Sequence, residues 1–230
     1  MTDKAYSIDT GNWRVIVFDS PHKRNAFSES VSNAAEEAVS KCTTDGKGLA
    51  FYGMNGYFCS GADRSELVSL DERGAFERSV RAQKMCFDIY NGGFPSLSLV
   101  RGHCIGKGFE VALACDLIVA ESNAFFQFPE VLLGFEPGSG GVKLLEERIG
   151  KTEARELLRT GRRFDAVEAS DKGICMLSSI PADPVSDNVL ASFYICGEVG
   201  KSELEVDREF AQSYAKQVVE ALKSGKLTEM

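Results

Sequence analysis

The chain has 230 residues, 43% of them hydrophobic and 26% charged, which is the composition of a globular protein long enough to bury one core. It carries 34 Asp and Glu against 26 Lys and Arg, and the resulting charge of −8 disfavours a nucleic-acid partner. The longest apolar run, near 111–120, is far shorter than the ~20 residues of a membrane span, so no membrane association is expected.

Strands and helices follow one another from the start of the chain. Short apolar runs flanked by turn residues predict strands at 13–18, 49–52, 96–100, 117–120 and 124–128. Capping residues and amphipathic spacing predict helices at 29–42, 72–90, 106–115, 138–159, from about 165, and at 202–223. The rhythm is strand, strand, helix, and no linker rich in Pro, Gly or Ser divides the chain.

The last predicted helix has an apolar stripe with a spacing of four residues, which must be covered by another surface. Its members are Val206, Phe210, Tyr214, Val218 and Leu222. We expect this helix to contact another subunit.

The cysteines and the N-terminal segment indicate the cellular compartment. Seven scattered cysteines, never spaced as C-x-x-C, favour reduced thiols over a disulfide framework. With only His22 and His103 beside them, a zinc site is not expected. Residues 1–10 contain no apolar signal segment, so we expect a cytoplasmic protein.

The segment 101–110 (RGHCIGKGFE) places three glycines before a predicted helix. The free N–H groups of a first helical turn can stabilise an anion. The segment is not a P-loop, because no Ser or Thr follows Lys107. Close packing is the alternative explanation for these glycines.

Two glutamates are predicted to be buried. Glu110 lies one turn into an almost entirely apolar helix, although a first-turn acid could instead reach solvent. Glu130 follows Pro129 and the apolar run 125–128, where a strand end would project it from an apolar wall. Such surroundings predict a carboxylate that is readily protonated near neutral pH, as a general acid requires.

The run 56–63 (GYFCSGAD) combines a strand end, a glycine turn and a helix start, so the Ala62 N–H is a candidate for a second anion donor. The glycines of 138–141 open another helix without the G-x-S-x-G pattern of a nucleophile elbow. A Ser or Cys hydrolase built around His103 is an alternative, but a lone histidine beside a glycine turn more often serves packing or hydrogen bonding.

Four segments resemble the enoyl-CoA hydratase/isomerase (crotonase) family in the family's order. They are 21–27 (PHKRNAF), 58–63 (FCSGAD), 105–110 (IGKGFE) and 128–141 (FPEVLLGFEPGSGG). The resemblance spans about 13–178 and implies an α/β fold, a crotonase-like spiral of β-β-α turns followed by a C-terminal helical region.

The resemblance also implies the site residues. Glu110 and Glu130 match the two catalytic glutamates, and the N–H groups of Ala62 and Lys107 match the oxyanion hole. The substrate-binding positions implied are Arg24, Ala26, Ser60, Gly61, Asp63, Gly106 and Gly138. No metal and no redox cofactor are implied, and coenzyme A enters only as part of the substrate.

The sequence departs from the family at three places. Lys107 stands where the family most often has a third consecutive glycine, so its side chain could narrow or charge the pocket. The region after about 180 is short. Glu136, before Pro137, is either a third site carboxylate or a solvated loop acid, and we favour the loop acid.

We therefore predict a spiral core at 1–180 and a shortened helical oligomerisation region at 181–230, assembled as a homotrimer or hexamer. The first hypothesis for function is reversible hydration of a 2-enoyl thioester carried by CoA or an acyl-carrier protein, as in fatty acid metabolism. The alternatives are an isomerase or decarboxylase that uses one glutamate, and a catalytically degenerate binding subunit.

Overall fold

The structure is a computed structural model that describes residues 4–195 and 204–225. The strands in these residues are β1 (Lys4–Thr10), β2 (Trp13–Asp19), β3 (Gly48–Gly53), β4 (Ser96–Val100), β5 (His103–Ile105), β6 (Leu117–Ala120), β7 (Phe125–Gln127), β8 (Phe164–Asp165) and β9 (Met176–Leu177). The α-helices are α1 (Glu29–Asp45), α2 (Arg64–Leu67), α3 (Glu72–Tyr90), α4 (Lys107–Ala114), α5 (Glu130–Leu133), α6 (Gly141–Ile149), α7 (Lys151–Thr160), α8 (Ala166–Asp171), α9 (Asp187–Ile195) and α10 (Arg208–Lys223).

The strands form two sheets. The larger sheet has the order β1-β2-β3-β4-β6-β9 and is parallel except for the antiparallel pair β1–β2. The smaller sheet has the order β5-β7-β8. Two successive turns of chain, β4-β5-α4 and β6-β7-α5, each give one strand to each sheet and then a helix. This is the β-β-α spiral that the sequence predicted.

Alternation along β2 explains how the main sheet is buried on both faces. Ile16 and Phe18 pack into the larger core cluster with α1, α3 and α4, whereas Val15 and Val17 pack into a second cluster on the opposite face. Successive side chains of a strand point to opposite faces, so an unbroken apolar run indicates a sheet covered on both sides.

Local capping fixes the two long helices of the core. The Ser28 hydroxyl accepts a hydrogen bond from Val31 N at the start of α1 (3.5 Å), and the Asp71 carboxylate accepts one from Gly74 N at the start of α3 (2.7 Å). These caps satisfy amides that have no partner within their helix. The predicted bounds of α3 match the observed ones, while α1 continues three residues beyond Cys42.

Several expectations for the second half of the chain were wrong in detail. The predicted helix at 138–159 is two helices, because Gly150 between them has a φ of +79° and ends α6. The final helix begins at Arg208, since Asp207 caps it by accepting a hydrogen bond from Phe210 N (2.8 Å). The predicted start at 202 lies outside the described residues. Strands β1, β5, β8 and β9 and helix α9 were not predicted.

The C-terminal helix α10 packs against α3 of its own chain. Its buried face consists of Ala211, Ala215, Val218 and Ala221. A constant spacing of four drifts around a helix of 3.6 residues per turn, so the predicted stripe only partly coincides with this face. Val218 of the stripe is buried within the chain and its other four members are partly buried, while assembly into an oligomer stays a prediction.

None of the described helices is long and apolar enough to cross a membrane. The six cysteines in the described residues are buried and form no disulfide, and Cys196 lies outside them. Leu190 of α9 joins the second core cluster, so part of the predicted C-terminal region packs directly on the spiral.

Candidate active site

A cavity of about 600 Å³ opens beside α3, α4 and α5. Every residue that the sequence predicted as a catalytic, oxyanion or substrate-binding group lines it. These residues are Arg24, Ala26, Ser60, Gly61, Ala62, Asp63, Gly106, Lys107, Glu110, Glu130 and Gly138. The fold thus collects in one place groups that are spread over more than a hundred positions of the chain.

The loop before α2 presents the Ala62 amide. Phe27 N donates a hydrogen bond to Gly61 O (2.8 Å), and Phe27 O accepts one from Asp63 N (3.3 Å). In this parallel bridge Phe27 contacts the residues on either side of Ala62, so the Ala62 N–H points away from Phe27. Ala62 also lines the cavity, so its N–H is a candidate donor to a bound acceptor.

The turn before α4 precedes the second candidate backbone donor, the Lys107 N–H. Gly106 has a φ of +50° and a ψ of −122°, and its N–H is held by Gln127 O at 2.9 Å. This conformation, which residues with a side chain rarely adopt, starts α4 at Lys107. The Lys107 N–H belongs to the first helical turn, where amides have no acceptor within the helix.

Glu110, in the first turn of α4, is only 2% exposed. Its Oε1 accepts hydrogen bonds from Ser139 N (2.7 Å) and Gly141 N (2.9 Å). Burial raises the pKa of Glu110, while the hydrogen bonds from Ser139 and Gly141 and the nearby Lys107 charge act in the opposite direction. Amides that donate to a carboxylate favour its ionised form, so Glu110 is the better stabilised of the two carboxylates as an anion.

Glu130 is the first residue of α5, not the end of a strand as predicted, because β7 ends at Gln127. It is 8% exposed, and its Oε2 is buried without a hydrogen-bond partner in the described part of the chain. Burial, and then the charge of Glu110, raise the pKa of Glu130 to about 8. At neutral pH this carboxyl group is mostly protonated and can donate a proton.

Lys107 contributes a buried side chain as well as its amide. The residue is 8% exposed, and its Nζ lies 5.1 Å from the centre of the Phe27 ring. Burial lowers the pKa of Lys107. The side chain extends toward α1 and α3, so the departure from glycine adds a cation to the cavity wall.

The rim of the cavity near the loop before α1 is positively charged, and hydrogen bonds and an ion pair hold this loop in place. Ser60 N donates to Arg24 O (3.1 Å), and the Ser60 hydroxyl donates to Lys23 O (2.8 Å). Lys23 Nζ forms an ion pair with the buried Asp63 carboxylate at 2.7 Å. Asp63 also caps α2, so its side chain holds the loop in place.

Comparison with known proteins agrees with this geometry. Residues 11–223 match the sequence model of the enoyl-CoA hydratase/isomerase family. The chain belongs to this family. A mitochondrial protein of Arabidopsis thaliana described as a probable enoyl-CoA hydratase is 32% identical over 68% of this chain, and the match spans 53% of that protein. A Mycobacterium bovis protein described as a probable enoyl-CoA hydratase is 29% identical over 85% of this chain and 76% of its own length. The chain therefore spans about half the length of the Arabidopsis protein.

Solved structures support the same fold. An enoyl-CoA hydratase structure from Geobacillus kaustophilus is 29% identical, has a TM-score of 0.70, and covers 96% of this chain and 82% of its own. A structure from Bordetella parapertussis, whose name includes enoyl-CoA hydratase/isomerase, has a TM-score of 0.84 over 97% of this chain and 98% of its own. At 19% identity, the latter likeness concerns the fold alone.

In this crotonase-family chain, α10 adds a residue that sequence reasoning did not place in the site. Tyr214 lines the cavity, and its ring packs on Gly138, where a Cβ atom would be 2.4 Å away. Burial raises the pKa of Tyr214, and the charge of Glu110 contributes. The apolar spacing of the last predicted helix indicated that Tyr214 is covered by another surface, but it did not predict that this surface is the wall of the cavity.

Two polar residues that support the site were also missed. The Asn25 side chain accepts from Ser20 N (2.8 Å) and donates to Met54 O (2.9 Å) and Tyr57 O (2.7 Å), which fixes the loop before α1. The Ser79 hydroxyl donates to Gly138 O (2.7 Å). Asn25 lies in the segment 21–27 that resembles the family motif, and this resemblance could have indicated its role. No feature of the sequence indicated the role of Ser79.

His103 lines the same cavity, whereas Glu136 does not. The His103 ring packs between Tyr57 and Phe125, with centroid distances of 5.0 and 4.5 Å, and burial lowers its pKa. This agrees with packing rather than with a hydrolase. Glu136 is exposed and lies outside the catalytic cavity, so it is the solvated loop acid that the sequence favoured.

Proposed function

We propose that this family member catalyses reversible hydration of a 2-enoyl thioester through an enolate. The observation that carries the proposal is the pair of buried carboxylates on one cavity. Two amides donate to Glu110, whereas Glu130 Oε2 has no hydrogen-bond partner among the residues described. Two carboxylates whose surroundings separate their pKa values can divide the work of base and acid.

The oxyanion hole would consist of the N–H groups of Ala62 and Lys107. Both would donate to the thioester oxygen, which gains negative charge as the enolate forms. One such donor is typically worth ~3 kcal/mol in the transition state. The donors belong to the backbone, which explains why a lysine can replace glycine at position 107.

Burial raises the pKa of both carboxyl groups, so the proton transfers are assigned from their hydrogen bonds, which two amides donate to Glu110. Glu110, as the carboxylate, takes a proton from water while the water oxygen forms a bond to the β-carbon. Glu130, as the acid, gives its proton to the α-carbon, and the electrons of the enolate form that C–H bond. Exchange of protons with solvent then returns Glu110 to the anion and Glu130 to the acid.

A second candidate is a double-bond shift or a decarboxylation that uses one glutamate. The burial of Glu130 Oε2, which no described residue hydrogen-bonds, favours this candidate, because a single group that removes and returns a proton is sufficient. In that case Glu110 would only hold the loop 139–141 through its hydrogen bonds. A catalytically degenerate binding subunit is the remaining alternative.

The exposed cations Lys23, Arg24 and Arg64 at the cavity suit the phosphate groups of CoA, which supports an acyl-CoA substrate over a protein-bound thioester. The steps above use no metal and no redox cofactor. A cytoplasmic homotrimer or hexamer, with a core at 1–180 and an oligomerisation region at 181–230, remains part of the proposal.

The test is an assay of hydration, followed as loss of the enoyl absorbance of crotonyl-CoA and longer 2-enoyl-CoA. With 3-enoyl-CoA, a double-bond shift is followed as gain of the same absorbance. We expect turnover of a 2-enoyl-CoA. Exchange of α-hydrogens of a saturated acyl-CoA with D₂O checks enolate formation independently. Exchange without hydration would favour the one-glutamate reaction, and the absence of both would indicate a binding subunit.

A further inference from the structure

Two cations lie where the catalytic cavity meets a second, smaller cavity. Lys107 of α4 and Arg78 of α3 line both the cavity of about 600 Å³ and a neighbouring one of about 270 Å³. The smaller cavity also touches Ser32 of α1, so it lies between α1 and α3. The proposed reaction uses the Lys107 amide but gives no role to the cationic side chain of either residue.

The Lys107 ammonium group has no carboxylate within ion-pair distance among the described residues. Its Nζ lies over the face of the Phe27 ring, 5.1 Å from the ring centre. Removing an ammonium group from water without a partner is costly, and burial lowers the pKa of Lys107 accordingly. An anion bound beside Nζ would offset that cost.

Only some of the hydrogen-bond donors of the Arg78 guanidinium group have an acceptor among the described residues. Its Nη1 donates to Glu66 Oε2 at 3.1 Å, but its Nη2 is buried and has no hydrogen-bond partner in the part of the chain described. A guanidinium group matches the two oxygens of a carboxylate geometrically. A carboxylate at this wall would therefore supply the acceptor that Nη2 lacks.

The charged residues around the catalytic cavity also favour an anionic ligand. Lys23, Arg24, Arg64, Arg78 and Lys107 line it, against the carboxyl groups of Asp63, Glu110 and Glu130. With a pKa of about 8, Glu130 is mostly neutral at pH 7. A chain with a net charge of −8 thus concentrates positive charge at this cavity, which attracts anionic ligands.

We propose that the acyl group of the substrate ends in a carboxylate, which binds between the Lys107 ammonium and the Arg78 guanidinium. The inference rests on the proposed binding of a thioester at the Ala62 and Lys107 amides. Lys107 would then contact both ends of the acyl group, the carbonyl through its N–H and the carboxylate through Nζ. That arrangement suits a short dicarboxylic acyl chain.

The test measures binding by titration calorimetry with two saturated ligands of equal chain length, glutaryl-CoA and valeryl-CoA. Hydrogen bonds to charged groups are individually strong, so wild-type protein should bind glutaryl-CoA at least ~10-fold more tightly. Arg78→Gln and Lys107→Met should each remove most of this preference. Arg73→Gln, which removes an exposed cation of the same helix, should retain it.

The ratio of the dissociation constants of valeryl-CoA and glutaryl-CoA is the decisive quantity, because both ligands share the CoA part. Equal or tighter binding of valeryl-CoA by wild-type protein would overturn the inference, as would a preference that survives in both folded variants. Neither ligand can be hydrated, so the measurement is separate from catalysis. Selective binding of glutaryl-CoA without hydration of any 2-enoyl-CoA would retain the carboxylate site and reject the hydratase. If neither ligand binds, both proposals fail.

Discussion

Gly106 lies against the Glu130 carboxyl group, so that a Cβ atom at position 106 would be 2.6 Å from Glu130 Oε1. The backbone of Gly106, with φ +50° and ψ −122°, is also one that a residue with a side chain rarely adopts. Glycine at this position therefore allows the second carboxylate to approach the turn that presents the Lys107 N–H.

Replacing Gly106 with alanine should disrupt this arrangement. The new side chain would strain the turn and displace Glu130, and we expect turnover to fall by ~10² or more, the typical cost of losing an oxyanion donor. Gly46→Ala is the control, since its φ is +71° but its Cβ would meet nothing within 4 Å. Steady-state kinetics on folded protein would check this, and wild-type turnover by Gly106→Ala would contradict it.

The rate of hydration should depend on the protonation of Glu130. This residue must be protonated to donate to the α-carbon, and burial raises its pKa to about 8. We expect kcat/KM to fall as pH rises above about 8, by tenfold per pH unit, since kcat/KM reports groups of the free enzyme. A profile that stays level to pH 10 would show that Glu130 is not the acid.

Stability should respond to the same carboxyl group. Between its ordinary pKa of 4.5 and about 8, the folded state retains a proton that the unfolded state has released. The free energy of unfolding therefore falls as pH rises through this range. Glu130→Gln cannot ionise, so its Tm relative to wild type should increase from pH 5 to pH 8.5. Glu136→Gln, which replaces an exposed glutamate, is the control, and equal behaviour of the two variants would contradict the raised pKa of Glu130.

Gly138 and Tyr214 should be energetically coupled. A Cβ on Gly138 would be 2.4 Å from Tyr214 Cε2 and Cζ, so Gly138→Ala should cost ~1–3 kcal/mol by overpacking. In a Tyr214→Ala background the ring is absent and the same change should cost little. Chemical denaturation of the four proteins gives the coupling free energy. A cost that is equal in both backgrounds would show that α10 does not pack here.

Features determined by nearby residues could be predicted from the sequence. The bounds of α3 are set by the Asp71 cap and by the glycines after Tyr90, and β4 and β6 are apolar runs between turns, so all three agree with the prediction. The strand β1 was missed because it is a half-exposed edge strand without a continuous apolar run.

Contacts between distant segments could not be predicted in the same way. The family resemblance named the residues that line the cavity, but not that Glu110 is held by the amides of Ser139 and Gly141. Nor did any pattern indicate that Tyr214 would reach the cavity from α10. The residue types do not show which distant amides donate to a buried carboxylate or which helices pack together, so these contacts emerge only when the chain is folded.

The division of work between Glu110 and Glu130 is tested most directly by measuring Glu110→Gln and Glu130→Gln side by side on 2-enoyl and 3-enoyl thioesters. If hydration needs a base and an acid, each variant should lose ~10² to 10⁴ in turnover of the 2-enoyl thioester while its binding of a saturated acyl-CoA changes little. If Glu110→Gln instead keeps near wild-type turnover on its best substrate while Glu130→Gln is inactive, the two-carboxylate hydratase is contradicted.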